Sequence, residues 1–174
     1  DLRSGMSLAT SGFTELASNN AVDSNQVSTK IYYKNFAGET FIRSNSISGA
    51  SSASVSLSAS VFRNHQNINV FSNTALTNTD DASWSTVTGL SNGNVVALFA
   101  STAHTVGFRY YSDPGDLDSW AEGANTIFGN DSYDITSGTG AKTITSGTSF
   151  SPNTWNTNGS GTASSVVAVS IVVS

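Results

Sequence analysis

The sequence contains no cysteine, two prolines and few charged residues among its 174 positions. Without cysteine, the chain cannot form a disulfide scaffold or a cysteine-based zinc site. Charged residues make up 11% of the chain, whereas an ordinary soluble domain has about 25%. The net charge is −5, which is far from the high charge that keeps many chains disordered. We therefore expect the chain to fold.

Basic residues are also scarce, since seven Lys and Arg are scattered along the whole sequence. A nucleic-acid surface needs clustered basic side chains to neutralise phosphates. Apolar runs are short as well, and none approaches the roughly 20 residues that a membrane-spanning helix requires. We therefore expect neither a nucleic-acid partner nor insertion into a membrane.

Neutral polar residues take the place of charge, because 32 Ser, 20 Thr and 17 Asn make up about 40% of the chain. Hydroxyls and amides lose water at lower cost than charges do, so such a surface suits proteins that face the exterior or pack against their own copies. An extracellular or virion-surface location follows as an expectation. The Asn130 and Asn158 sequons are candidate glycosylation sites, although chance occurrence is the preferred explanation in a chain so rich in Asn and Ser.

Alternation of apolar and polar residues is the main structural signal, and it is clearest over 53–61, where Ser occupies every second position. Such a pattern predicts a strand with one buried face. The sequence predicts an all-β protein, an antiparallel β-sandwich that is jelly-roll-like, with at most one short helical turn near 118–122. About ten short strands are expected, at 28–36, 39–44, 53–61, 67–72, 84–90, 95–101, 105–112, 132–136, 141–145 and 164–173.

The sequence predicts two parts of the chain, an N-terminal arm and one domain. Residues 1–25 show no sustained period, so they are predicted to form an N-terminal arm, one that a neighbouring subunit could order. Residues 26–174 are predicted to form a single β-sandwich domain. Within it, the Asn92-Gly93 pair predicts a tight turn that joins strands 84–90 and 95–101 as a hairpin.

The C-terminal stretch 164–174 is apolar, β-branched and uncharged. An edge strand of this kind would pair with any other strand, because it lacks the Lys or Pro that protects natural edges. It is therefore either a central strand of the chain's own sheet or a strand shared between subunits by β-augmentation. The second alternative assigns inter-subunit contacts to five residues: Val166, Val167, Val169, Ile171 and Val173.

Catalytic motifs are not evident. The sequence has two histidines, His65 and His104, and no Gly-x-Ser-x-Gly nucleophile elbow. We therefore expect a non-enzymatic protein. The alternative is a hydrolase whose site combines His104 with one of the acids clustered between positions 113 and 134.

Half of the twelve acidic residues lie between positions 113 and 134, a segment without Lys and with several aromatic residues. Asp113, Asp116 and Asp118 form a candidate Ca²⁺ site, because Ca²⁺ prefers several oxygens from a flexible loop. Their spacing differs from that of an EF-hand, and a solvated acidic loop is the alternative. A glycan could stack on the aromatic rings, and the candidate contacts are Tyr111, Trp120 and Tyr133.

These patterns favour one function and leave one main alternative. The favoured function is a non-enzymatic structural protein that self-associates in a virion or an extracellular filament. Its termini would make inter-subunit β contacts with other copies or with other virion or surface proteins. The composition is generally similar to that of virus decoration, fibre and spike domains and of secreted filament subunits. The alternative is a carbohydrate-binding module or lectin-like adhesin that uses segment 108–134.

Overall fold

The protein is all-β and antiparallel throughout its described part, where no residue is helical. The structure is a computed structural model. It describes the following residues: 7–8, 12–22, 26–35, 47–48, 60–79, 81–104, 121–122, 126–130, 133–155 and 165–174. Within this part of the chain, no helix has the length and hydropathy to cross a membrane.

Twelve strands are defined in the described residues. In chain order they are β1 (Ser7–Leu8), β2 (Thr14–Val22), β3 (Gln26–Tyr33), β4 (Ile47–Ser48), β5 (Ile68–Leu76), β6 (Val87–Thr88), β7 (Val95–His104), β8 (Ala121–Glu122), β9 (Thr126–Asn130), β10 (Tyr133–Thr143), β11 (Ser149–Phe150) and β12 (Ser165–Val173).

The largest sheet has the order β5-β12-β7-β10-β8, and β9 also pairs with β10. Strand β12 lies inside this sheet, with β5 on one edge and β7 on the other. Its residues are almost all buried, in keeping with a sequence that has apolar side chains on both faces. The sheet is therefore covered on both faces, by two different layers.

A hairpin of β2 and β3 covers the first face, and we call it the hairpin layer. Its buried Ala17, Ala21 and Val27 pack against Val167 and Ile171 of β12. Small alanines on β2 let the hairpin approach the sheet closely. Because this layer includes residues 14–22, part of the predicted arm belongs to the chain's own core.

Two antiparallel segments, 82–90 and 144–155, cover the second face, and we call them the tryptophan layer. Strands β6 and β11 pair within it, and a single bridge joins Ala82 to Trp155. The rings of Trp84 and Trp155 meet edge to face with centroids 4.7 Å apart. This aromatic pair closes the core above Leu98 and Val166.

The predicted hairpin across Asn92-Gly93 is wrong, although the turn itself is present. Asn94 donates a hydrogen bond to the Ser91 carbonyl at 3.1 Å, and Gly93 has a φ of 89°. This turn leads into β7, but β6 pairs with β11 instead of β7. The Gly93 amide donates a hydrogen bond to the Ile144 carbonyl. The turn is therefore attached to the beginning of segment 144–155 of the tryptophan layer.

Several other predicted elements differ from the structure. Over 84–90, only Val87–Thr88 is a strand. Residues 133–136 and 141–143, from two predicted strands, belong to one long strand, β10. Residues 121–122 of the predicted helical turn are strand β8. The segments 39–44 and 105–112, most of 53–61, and residues 118–120 lie outside the described residues.

Candidate functional site

The outer edge of β5 is the longest strand edge of the large sheet that has no partner within the described residues. Strand β5 pairs with β12 on one side, and its nine residues contain no charged side chain. On the opposite side of the sheet, the edge of β10 is paired with the short strands β8 and β9. The uncharged run is longer than the strand, since no Asp, Glu, Lys or Arg occurs from 64 to 79.

A β-bulge at Phe71 divides β5 into two halves. Val70 pairs with Ile171 and Ser72 pairs with Ser170, so Phe71 is an extra residue with no partner on β12. The bulge reverses which side chains face each layer. Before it, Ile68 and Val70 face the hairpin layer.

After the bulge, the even-numbered residues of β5 face the tryptophan layer instead. Leu76 packs into that core, and the Ser72 hydroxyl lies 2.7 Å from the Ser170 hydroxyl. Without the extra residue, Ser72 and Leu76 would fall on the same face as Ile68. The bulge therefore lets one strand supply apolar side chains to both cores.

Strand β2 lies beside β5, and side-chain amides bridge the two strands. Asn19 Nδ2 donates to Asn73 Oδ1 at 2.9 Å, and Asn73 Nδ2 donates to the Ser18 carbonyl at 3.1 Å. The Asn20 amide in turn donates to Asn19 Oδ1 at 2.8 Å. These bonds close the hairpin layer over the sheet without using the backbone edge of β5.

Together these two strands form a surface that we call the β2/β5 rim. Its members are the exposed or half-exposed side chains that line the two strands: Ser18, Asn19, Asn20, Asn69, Phe71, Asn73 and Ala75. All of them are uncharged. Phe71 is 38% exposed and is one of two large exposed hydrophobic side chains in the described residues, the other being Val61.

The nearest described charges on β2 lie at its beginning and are paired with β3. Glu15 Oε2 accepts hydrogen bonds from Lys30 Nζ at 3.3 Å and from the Tyr32 hydroxyl at 3.2 Å. An exposed pair of this kind contributes little to stability. The rest of β2, from Leu16 to Val22, carries no charged residue.

The outer edge of β5 offers backbone groups that could form hydrogen bonds with a further strand. Backbone N–H and C=O groups along an unpaired edge are strong hydrogen-bonding groups that need a partner, either water or another chain. Natural edges are commonly protected by charge, by proline, by short length or by a bulge. Of these devices, β5 has only the bulge at Phe71.

The five residues predicted to form an inter-subunit strand all lie on β12. In this chain they are buried, and both edges of β12 are paired with the chain's own β5 and β7. The hydroxyl of Thr102 on β7 also donates to the Ser165 carbonyl at 3.1 Å. An inter-subunit role of β12 stays a prediction, and it requires exchange of the strand between copies.

The other predicted sites fall mostly outside the described residues. Asp113, Asp116, Asp118, Tyr111, Trp120 and Asn158 lie there. Tyr133 begins β10 and Asn130 ends β9, and the two are paired in register. Among the described residues no group of three His, Asp or Glu side chains could hold a metal ion. The Ca²⁺ site and the glycan site, which depend on residues outside that part of the chain, stay predictions.

The backbone register places Asp134 opposite His104, at the ends of β10 and β7. One of the clustered acids is therefore next to a histidine along the ladder. Nucleophilic catalysis also needs a nucleophile within hydrogen-bonding reach of its base. The pairing alone assigns no reaction, and the hydrolase alternative stays a prediction.

Sequence reasoning did not find the β2/β5 rim, although a signal for it was present. The charge-free run 64–79 contains the strand predicted at 67–72, so no charged side chain protects any part of that strand. What the alternation of residues could not give is the order of strands, which makes β5 an edge and β12 a central strand.

Comparison with known proteins gives no family assignment. No family model matches the chain, and no curated protein or solved structure is significantly similar to it.

Proposed function

We propose that this chain is a non-enzymatic structural protein whose copies associate with one another in a virion or an extracellular filament. One observation carries the proposal. Strand β5 offers nine residues of backbone edge without any charge, and no strand covers that edge within the described residues. A strand edge of this length is a template for pairing with another chain.

The composition supports the same function. Association removes water from both surfaces, and the hydroxyls and amides of the β2/β5 rim lose water at lower cost than charges. The proposal places the protein outside the cell or on a virion surface. Its partners are its own copies, with other virion or surface proteins as further candidates.

The proposed architecture is a jelly-roll-like β-sandwich. The hairpin layer and the large sheet face each other across one apolar core, which is the arrangement of two sandwich layers. In this fold β12 is central, so a role for it between subunits takes the form of strand exchange. The N-terminal residues before β2 are the remaining candidate for contacts through the termini.

Sedimentation velocity of the purified chain over a broad range of concentrations tests the proposal. We expect the average mass to rise above that of one chain as concentration increases. Electron microscopy of the concentrated sample then distinguishes filaments from closed rings or shells. A single monomeric species at every concentration would refute the proposed function.

A further inference from the structure

We infer that the partner of β5 is β5 of a second copy, paired antiparallel along the outer edge of the strand. This inference rests on the proposed function and identifies the surface through which the copies associate. Pairing one strand with itself gives a two-fold interface, in which the same residues act on both sides. Such an interface closes at two copies, so the β5 pairing forms a dimer, and a filament or shell is built from these dimers through other surfaces. The large sheets of two copies then become one continuous sheet.

The charges that flank β5 favour the antiparallel direction. Arg63 is exposed and precedes the strand by five residues, whereas Asp81 follows it by five residues. Antiparallel pairing brings the basic end of one strand toward the acidic end of the other. Parallel pairing would bring like charges together at both ends, which is unfavourable.

The bulge at Phe71 restricts the register of this pairing. Residues opposite one another in an antiparallel pair lie on the same face of the sheet. On β5, Ile68 and Val70 face the hairpin layer before the bulge, and Asn73 faces it after the bulge. Among the antiparallel registers in which these faces match, the one that pairs the most residues of β5 sets Val70 of one copy opposite Asn73 of the other.

That register gives compatible side-chain pairs along the strand. Ile68 lies opposite Ala75 of the second copy, so a large side chain meets a small one. Asn69 lies opposite Thr74, and both are uncharged and polar. No pair sets two charges or two bulky side chains against each other.

Electrostatics is compatible with a second copy at this edge. Each chain carries a net charge of −5, so two copies repel one another on average. The repulsion is smallest where both surfaces lack charge. The β2/β5 rim is such a surface, since its exposed side chains are all neutral.

Engineered cysteines test the register directly, because the chain has no cysteine of its own. Asn69→Cys and Thr74→Cys are made as separate proteins, one with an added mass tag, then mixed and oxidised. We expect a disulfide between the two different variants and much less dimer from either variant alone. As a matched control, Asn69→Cys is mixed with Thr145→Cys, which lies in an exposed turn after β10.

A second variant tests the edge without any cysteine. Ala75 is exposed on β5, so Ala75→Lys places a charge on the edge with little effect on the fold. We expect the dissociation constant for self-association to rise about tenfold or more. Unchanged tryptophan fluorescence shows that the variant is folded.

The outcomes separate this inference from the proposed function. If the chain associates but the Asn69/Thr74 pair cross-links no better than the control, and Ala75→Lys associates normally, the β5 pairing is wrong and the proposed function stands. If the wild-type chain is monomeric at every concentration, the proposed function fails and this inference fails with it. Preferred cross-linking together with weakened association supports the β5 pairing.

Discussion

Deletion of Phe71 tests the register of β5 against β12, because it shortens the strand by the one residue that has no partner. After the deletion, Val70 still pairs with Ile171, and Ser72 still pairs with Ser170. The loss is limited to the partial burial of a side chain that is 38% exposed. We expect the free energy of unfolding to fall by about 1–2 kcal/mol at most.

Deletion of Asn73 is the matched control, because it shortens the same strand by one residue at a paired position. Phe71 then moves opposite Ser170, and the Ser72–Ser170 hydroxyl contact at 2.7 Å is lost. The buried Ser170 hydroxyl is left without this partner, which costs about 1–3 kcal/mol. The amide bonds from Asn73 to β2 are lost as well, at about 1 kcal/mol each.

Urea unfolding followed by tryptophan fluorescence measures both deletions, since Trp84 and Trp155 are buried in the tryptophan layer. We expect the Asn73 deletion to cost about 3 kcal/mol or more, a large part of the stability of a typical domain. The Phe71 deletion should leave a cooperative transition close to that of the wild type. If it destabilises the chain as much as the Asn73 deletion does, the assigned bulge is wrong.

Two sets of substitutions and one metal titration test other contacts of β12 and the acidic segment. Ser170→Ala should lower the free energy of unfolding by about 1 kcal/mol. The double variant Ser72→Ala/Ser170→Ala should be little less stable than Ser170→Ala alone. Additive losses in a double-mutant cycle would contradict the contact between the two hydroxyls. Ile171→Ala, at a side chain that is 1% exposed, should cost about 2–5 kcal/mol in urea unfolding, and Val61→Ala, at 67% exposure, should change stability by less than about 0.5 kcal/mol. If the chain binds Ca²⁺, the midpoint of thermal unfolding should be higher with Ca²⁺ than with a chelator, and Asp116→Asn should abolish this difference. Equal midpoints of the wild type under the two conditions would refute the Ca²⁺ site.

The class of fold could be read from the sequence because period-two alternation and β-branched runs depend on local residues. Strands β3, β5, β7 and β12 all fall on predicted segments. The apolar run of β12, which Ser170 interrupts, had two interpretations, and a central position in the chain's own sheet was one of them. The structure places it between β5 and β7.

Pairing between distant segments could not be read in this way. Asn92-Gly93 forms a turn as its residue types require, but the partner of β6 is β11, some 60 residues later. Local residues do not encode that choice, which depends on how the tryptophan layer packs over Leu98 and Val166. The sequence likewise divided β10 in two, because Gly138 and Gly140 look like turn residues although both lie buried within the strand.

The bulge at Phe71 was also beyond the reach of sequence patterns. Alternation continues through β5 in terms of exposure, so the residues give no sign of an extra position. Only the pairing with β12 shows that the faces are exchanged between Val70 and Ser72. The candidate site depends on this feature, since the bulge sets which residues of β5 can oppose a second strand.

Association of copies through the uncharged edge of β5 is tested by sedimentation velocity of the wild type and of Ala75→Lys, run side by side over the same concentrations. We expect the wild-type mass to grow with concentration and the mass of the variant to stay close to that of one chain. A variant that associates as strongly as the wild type would contradict the claim.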